Sequence, residues 1–141
     1  MAQLKHVQIY NSERFQHDYI SSIINGKKTM DIRFLNRKSA PFSTLVSGDL
    51  VYLKESSKKI KAEFIAFDVT KIILEHSSQV EYLLKKYKTP LDITNSDEMS
   101  LIIKSYQSSK YAVIFKMQAV KKVEGIYYNS KGNRSSWITI K

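Results

Sequence analysis

Asn25-Gly26-Lys27-Lys28-Thr29-Met30-Asp31-Ile32-Arg33, with its echo at Ser47-Gly48-Asp49, is the stretch on which the fold turns. It reads as a helix that stops at a glycine and hands over, without a spacer, to a β-strand. Thr29, Asp31 and Arg33 alternate with Met30, Ile32 and Phe34. Side chains of a strand point alternately to its two faces, so the polar set shares one face and the apolar set the other. Lys28 adjoins the polar face, and several donors gather around one carboxylate. Such a cluster is either a binding site or the hydrated face of an ordinary strand, and the alternation alone does not separate the two.

Upstream, Lys5–Tyr10 alternates and reads as a short strand. Asn11 or Ser12 is the expected N-cap of one helix running to about Asn25, whose Phe15, Tyr19, Ile20, Ile23 and Ile24 recur at helical spacing. Gly26 is the expected stop, because a left-handed backbone costs glycine nothing. Downstream, the strand runs from Thr29 to about Leu35, and a loop with Arg37, Lys38 and Pro41 follows. Ser47-Gly48-Asp49 reads as a tight turn into the strand Leu50–Glu55, with Val51 and Leu53 on one face and Leu50, Tyr52 and Lys54 on the other. Ser56-Ser57-Lys58-Lys59 reads as a hairpin loop, and Ile60–Ile73 as a strand so long that it must bend or bulge.

The pattern then turns helical. Residues 76–88 place Val80, Leu83, Leu84 and Tyr87 on one face ahead of Pro90, and Ser96 caps a second helix over Asp97–Gln107. A segment of about 30 residues cannot hold a core of its own, so the pair is an excursion between strands. Lys110–Gln118, Val120 to about Tyr128, and Ser135–Ile140 return to β, with a turn signal at Asn129-Ser130-Lys131-Gly132-Asn133. Tyr111-Ala112-Val113-Ile114-Phe115 is apolar enough to be buried on both faces. The expected class is α+β. A single domain over residues 1–141 would hold about six strands in a small, closed or nearly closed barrel, with an N-terminal helix and the inserted helical pair.

Lys and Arg number 23 against 13 Asp and Glu, a net charge of +10. The charge is uneven: residues 1–25 are neutral, 26–61 carry +6, 62–103 carry −3 and 104–141 carry +7. Two positive blocks around an acidic one predict attraction to a polyanion, nucleic acid before an anionic membrane, although abundant surface Lys would give the same total. The chain has no cysteine, which removes disulfides, thiolate metal ligands and a thiol nucleophile. No apolar run approaches the roughly 18 residues of a membrane span, so the chain is expected to be intracellular, cytoplasmic or nuclear, without membrane association. His6, His17 and His76 lie at no ligand spacing, and with four glycines no phosphate-cradling loop is present, so neither metal nor cofactor is expected.

Taken together, Ile23-Ile24-Asn25-Gly26-Lys27-Lys28-Thr29-Met30-Asp31-Ile32-Arg33 and Gly48-Asp49-Leu50-Val51-Tyr52-Leu53, with a helical segment ahead of Tyr111-Ala112-Val113-Ile114, resemble the ASCH domain of the PUA-like superfamily. The resemblance covers most of the chain. It implies a PUA-like β-barrel with a cleft beside the motif, suited to RNA. In one small bacterial branch of the family, a Lys, a Thr three residues later and a distant Glu hydrolyse the amide of acetylated cytidine. Lys28 matches that Lys, but Asp31 stands where the Thr would be and Thr29 lies one residue after the Lys. A carboxylate does not replace a hydroxyl nucleophile, so that activity is not expected. Ribonuclease activity, assigned to other members, stays open.

The candidate nucleic-acid contacts are therefore Lys27, Lys28, Thr29, Asp31, Arg33, Lys54 and Trp137. Lys28 and Arg33 suit phosphate or base oxygens, and their bland alternative is a local Asp31–Arg33 ion pair. Asp31 would orient Lys28 or accept a base amino group. Trp137, in Arg134-Ser135-Ser136-Trp137, is the aromatic best placed by its polar neighbours to stack a base, though an aromatic beside a strand is commonly core. Asp49 reads as a turn residue. The sequence thus favours a module for single-stranded RNA or a structured loop. The alternatives are an enzyme on RNA or a modified nucleoside, with Lys28 and Asp31 as catalytic candidates, and a protein partner on the helical segment 76–107.

Overall fold

A computed structural model describes residues 3–125, 128 and 136–140. The alternation at the motif is realised in β2 (Met30–Leu35), which pairs antiparallel with β5 (Tyr111–Lys122). With β1 (Lys5–Tyr10), β3 (Leu50–Glu55), β4 (Ile60–Ile73) and β6 (Trp137–Ile140) they form one curled six-stranded sheet in the order β2-β5-β4-β3-β1-β6. β1 lies parallel to β3 and antiparallel to β6, so the first and last described strands are neighbours. The curl brings the two edges together. Arg33 Nη2, on edge strand β2, donates to the carbonyl of Ser136, immediately before edge strand β6, at 2.7 Å. A side chain, not a strand ladder, spans the seam of the barrel.

Two apolar clusters sit on opposite faces of β2 and β5. Inside the curl, Val113, Phe115 and Met117 pack with Val51, Leu53, Ala62, Phe64, Ala66 and Trp137. Outside it, Met30, Ile32, Ala112 and Ile114 pack under α3 (Ser78–Lys86) and α4 (Ser96–Tyr106) through Val80, Leu83, Leu84 and Ile102. The Tyr111–Phe115 run is thus covered on both faces, as its composition requires. The helical pair is the excursion that the sequence describes, docked on the outer face of the sheet.

Several local expectations are corrected. The single helix over 11–25 is two short ones, α1 (Ser12–Phe15) and α2 (Tyr19–Ile24). Gln16 turns left-handed at φ +52°, and the Asp18 carboxylate restarts the helix by accepting from Ser21 N at 3.1 Å. Asn95, not Ser96, caps α4, with its side chain accepting from Asp97 N and Glu98 N. The strands expected at 110–118 and 120–128 are continuous as β5 up to Lys122, with Ala119 at φ +53° absorbing an irregularity. The turn signal at 129–133 lies outside the described residues. β4 bulges as its length demands, with register shifts between Glu63 and Ile65 and between Phe67 and Thr70. Among the described residues no helix is long and apolar enough to cross a membrane.

Candidate functional site

The polar face of β2 is turned inward at Asp31 and half-buried at Arg33. Asp31 and Arg33 pair across the ladder with Phe115 and Val113, whose side chains belong to the inner cluster, so this face looks into the mouth of the barrel. Asp31 is 8% exposed. Its Oδ2 accepts from Gln8 Nε2 and Tyr10 Oη, both at 2.7 Å, and its Oδ1 from Ile32 N at 2.9 Å and Lys28 Nζ at 3.2 Å. An ionised carboxylate offers about four lone-pair positions, and all are occupied. Burial alone would raise the Asp31 pKa; the charges of Lys28 and then Arg33, with the hydrogen bonds from Tyr10 and Gln8, outweigh it and hold the carboxyl below its usual value.

Lys28 is placed by the helix end. Gly26 takes φ +78°, and the backbone N–H groups of Lys27 and Lys28 both turn back onto the carbonyl of Ser22 at 2.9 and 3.0 Å. The Lys28 side chain is consequently directed inward and is 3% exposed. Its ammonium donates to Asp31 and, at 3.3 Å, to the Leu91 carbonyl, and lies 5.3 Å from the centre of the Tyr19 ring. The ion pair of Asp31 is therefore with Lys28 and not with Arg33, whose Nη2 is engaged by Ser136.

Around these groups lies a cavity of about 160 Å³ at the seam between β2 and β6. Lys28 and Asp31 contribute to its lining, Arg33 and Ser136 bound it at the seam, and Tyr10, Phe15, Tyr19, Phe34, Tyr106 and Trp137 supply aromatic walls. Leu84, Leu91, Ile93 and Ile102 of the helical segment form another wall. The rings support one another: Tyr10 stacks on Tyr19 at 5.3 Å, Phe34 on Tyr106 at 5.6 Å, and Trp137 meets Phe115 edge-on at 5.7 Å. The Arg33 guanidinium sits 5.9 Å from both the Tyr10 and Trp137 ring centres.

The other expected contacts fall elsewhere. Thr29 is exposed, its backbone tied to Pro90 and Met117. Lys27 is exposed and borders a separate hollow with His17, Asp92 and Glu98. Lys54 is 1% exposed and donates to the Tyr128 carbonyl at 3.3 Å, because the register shift between Leu53 and Lys54 breaks the alternation that would have put it outside. Trp137 does line the cavity, but as a buried wall, 3% exposed. Asp49 is structural: it accepts from Leu4 N, Val46 N and His6 Nε2. Of the expected set, the structure brings together Lys28, Asp31, Arg33 and Trp137.

Gln8, Tyr10 and Tyr19 belong to the site and were not anticipated. Gln8 and Tyr10 sit two apart on β1, and a buried Gln on an apolar strand was their signal. His17 is also engaged: its Nδ1 lies 2.7 Å from Glu98 Oε2, and its Nε2 2.8 Å from Ser22 Oγ and 3.2 Å from Asp92 Oδ2. A nucleophile–base–acid line would leave one ring nitrogen to the hydroxyl alone, whereas here Asp92 shares Nε2 with Ser22. His17 reads as a clamp between the α1–α2 turn and the helical segment. Among the described residues no three His, Cys, Asp or Glu side chains converge as a metal site.

The titrating groups of the site set a pH window. The low pKa of Asp31 contributes stability that is present above the ordinary aspartate value near 3.9 and is lost as pH falls through the folded value. Burial pushes both Tyr10 and Tyr19 up, helped by the Asp31 charge in the first and the Glu98 hydrogen bond in the second. Their contribution is present below about pH 10 and is lost as pH rises further. Urea denaturation across pH is expected to show stability falling at both ends, and Asp31→Asn to flatten the acid limb.

No family model matches this sequence, and no curated protein matches it. Solved structures do. ASCH from Zymomonas mobilis is 13% identical and superposes with a TM-score of 0.62, covering 97% of this chain and 87% of that one. The chain has the fold of an ASCH domain. A tyrosine-to-phenylalanine variant of the same Zymomonas mobilis ASCH protein superposes with a TM-score of 0.63 at 13% identity, covering 97% of this chain and 90% of that one. The N-terminal domain of Staphylothermus marinus McrB is 11% identical, with a TM-score of 0.52 over 91% of this chain and 81% of that one. The ASCH resemblance expected from Gly26–Arg33 and Gly48–Leu53 therefore holds for the architecture. Within this ASCH fold the motif delivers Lys28 and Asp31 to the barrel mouth.

Proposed function

We propose that this chain is a nucleic-acid-binding module that takes RNA along the β2–β6 seam, with one base in the aromatic cavity and Arg33 on the sugar-phosphate backbone beside it. The observation that carries this reading is the cavity itself: aromatic walls, a buried ammonium and a guanidinium at the seam. An unpaired base can leave its stack for such a pocket, where stacking contributes about 1–3 kcal/mol. Duplex bases are not free to do so, which favours single strands or loops. The +6 and +7 blocks supply the long-range attraction.

Fluorescence anisotropy with a labelled single-stranded RNA, repeated across salt concentrations, tests it. The logarithm of affinity is expected to fall linearly with the logarithm of salt, and Arg33→Ala to weaken binding about 10-fold while reducing the slope by about 0.7–1. Absence of binding at low salt overturns the proposal.

The alternative, an enzyme on RNA or a modified nucleoside using Lys28 and Asp31 for proton transfer, is less well supported. A general base needs a free lone pair and a pKa near the working pH, and Asp31 has neither. Asp31 acts instead as a positioning residue for Lys28. The helical segment expected to receive a protein partner supplies one wall of the cavity, and we infer that this is its principal role.

A further inference from the structure

We infer, resting on the RNA reading above, that the cavity selects a single pyrimidine whose ring carbonyl accepts a hydrogen bond from Lys28. Two features of the lining carry this. The first is what its polar groups still have to offer. Both Asp31 oxygens are filled. Tyr10 Oη donates to Asp31 and accepts from Gln8, and Tyr19 Oη donates to Glu98. The carbonyls of Leu91 and Ser136 already accept from Lys28 and Arg33. An ammonium has three N–H groups, and Lys28 uses two on Asp31 and Leu91. The remaining N–H belongs to a side chain that lines the cavity. The interior therefore presents a buried ammonium donor and no vacant carboxylate, so it suits a ligand that brings an acceptor.

The second feature is size. A cavity of about 150 Å³ with apolar walls holds benzene, one six-membered aromatic ring. The volume here is about 160 Å³. Uracil and cytosine fit that measure and both carry a ring carbonyl at position 2. A purine brings a second ring that must lie outside the walls, and adenine has no carbonyl at all. A site built around a hydrogen bond rejects the ligand lacking it, because its own buried group is left unpaired. Burial makes that penalty larger for Lys28 than for a surface lysine.

The experiment uses the full chain and a short RNA backbone that is abasic except at one central position. That position carries uracil, cytosine, adenine, guanine, or difluorotoluene, which has the shape of a pyrimidine but no carbonyl. Anisotropy at one fixed salt concentration compares the affinities. Uracil and cytosine are expected to bind about 10-fold or more tightly than the purines and the difluorotoluene isostere, the range of one charge-assisted hydrogen bond. Equal affinity for uracil and the isostere, or for pyrimidines and purines, overturns this inference while leaving RNA binding intact. No binding to any of these strands, nor to an ordinary single-stranded RNA, overturns the RNA reading with it. Lys28→Met is expected to abolish the difference between uracil and the isostere. The ligand comparison on the unsubstituted protein decides the matter even if that variant does not fold.

Discussion

Asp31→Ala is expected to destabilise the folded protein by about 3–5 kcal/mol, the cost of breaking a buried ion pair from one side. That is a large share of the 5–15 kcal/mol by which domains are typically stable. The loss has several parts. Lys28, 3% exposed, would be left with only the Leu91 carbonyl and the face of Tyr19 as company. Gln8 Nε2 and Tyr10 Oη would each lose an acceptor in a water-poor interior. Gln8 has little slack, since its Oε1 already has no hydrogen-bond partner among the described residues. Urea denaturation reads the effect as a lower midpoint at unchanged slope. Removing both charges together, in a Lys28→Met, Asp31→Leu double variant, is expected to cost clearly less than the two single variants summed, because no orphan charge remains. A loss below about 1 kcal/mol for Asp31→Ala would show that the pair is solvated and that this account of the cluster is wrong.

Trp137→Ala is expected to cost a similar amount, about 3–5 kcal/mol. The indole is a pillar where three elements meet. Its ring packs edge-on against Phe115, which in turn stacks on Phe64 at 6.0 Å. Its Nε1 donates to His6 Nδ1 at 3.2 Å. Indole nitrogen only donates, so His6 Nδ1 must be unprotonated and the ring proton sits on Nε2, which donates to Asp49 Oδ2 at 2.8 Å. The turn residue Asp49 thus sets the histidine tautomer, and the tautomer holds the wall of the cavity. Trp137→Phe, which keeps a ring but loses the N–H, is expected to be less damaging than Trp137→Ala in thermal melts. Under conditions where both variants remain folded, Trp137→Ala should weaken RNA binding further by the stacking contribution of about 1–3 kcal/mol. Full stability in Trp137→Ala would mean that the indole is not packed as described.

The parts legible in the sequence were those set by short-range rules. The period-two run at Met30–Phe34, the glycine stop at Gly26 and the two-face burial of Tyr111–Phe115 follow from alternation and backbone freedom, and they appear as read. Lys28, Asp31 and Arg33 were identifiable because three or four residues of one strand junction must lie close together. What the residues could not state was direction. Whether the polar face of β2 meets water or the barrel mouth depends on which way the sheet curls, a property of all six strands. Lys54 was misjudged for a related reason: a bulge is a relation between two strands, and nothing in Leu53-Lys54 alone announces it. Gln8, Tyr10 and Tyr19 were missed because their roles arise from pairings with residues far along the chain.

The placement of β1 between β3 and β6 has a kinetic meaning. Residues 5–8 must find residues 137–140, the longest loop closure in the sheet, and such distant pairings form slowly because the chain entropy is lost before the contacts repay it. The hairpin of β3 and β4 needs no such search. A partly folded molecule holding the β2–β5 sheet and its helices but lacking the β1–β6 closure would have Asp31 without the Gln8 and Tyr10 hydrogen bonds and the cavity without its Trp137 wall. The cavity is therefore expected to be among the last features the molecule acquires, complete only once the two edges of the sheet have met.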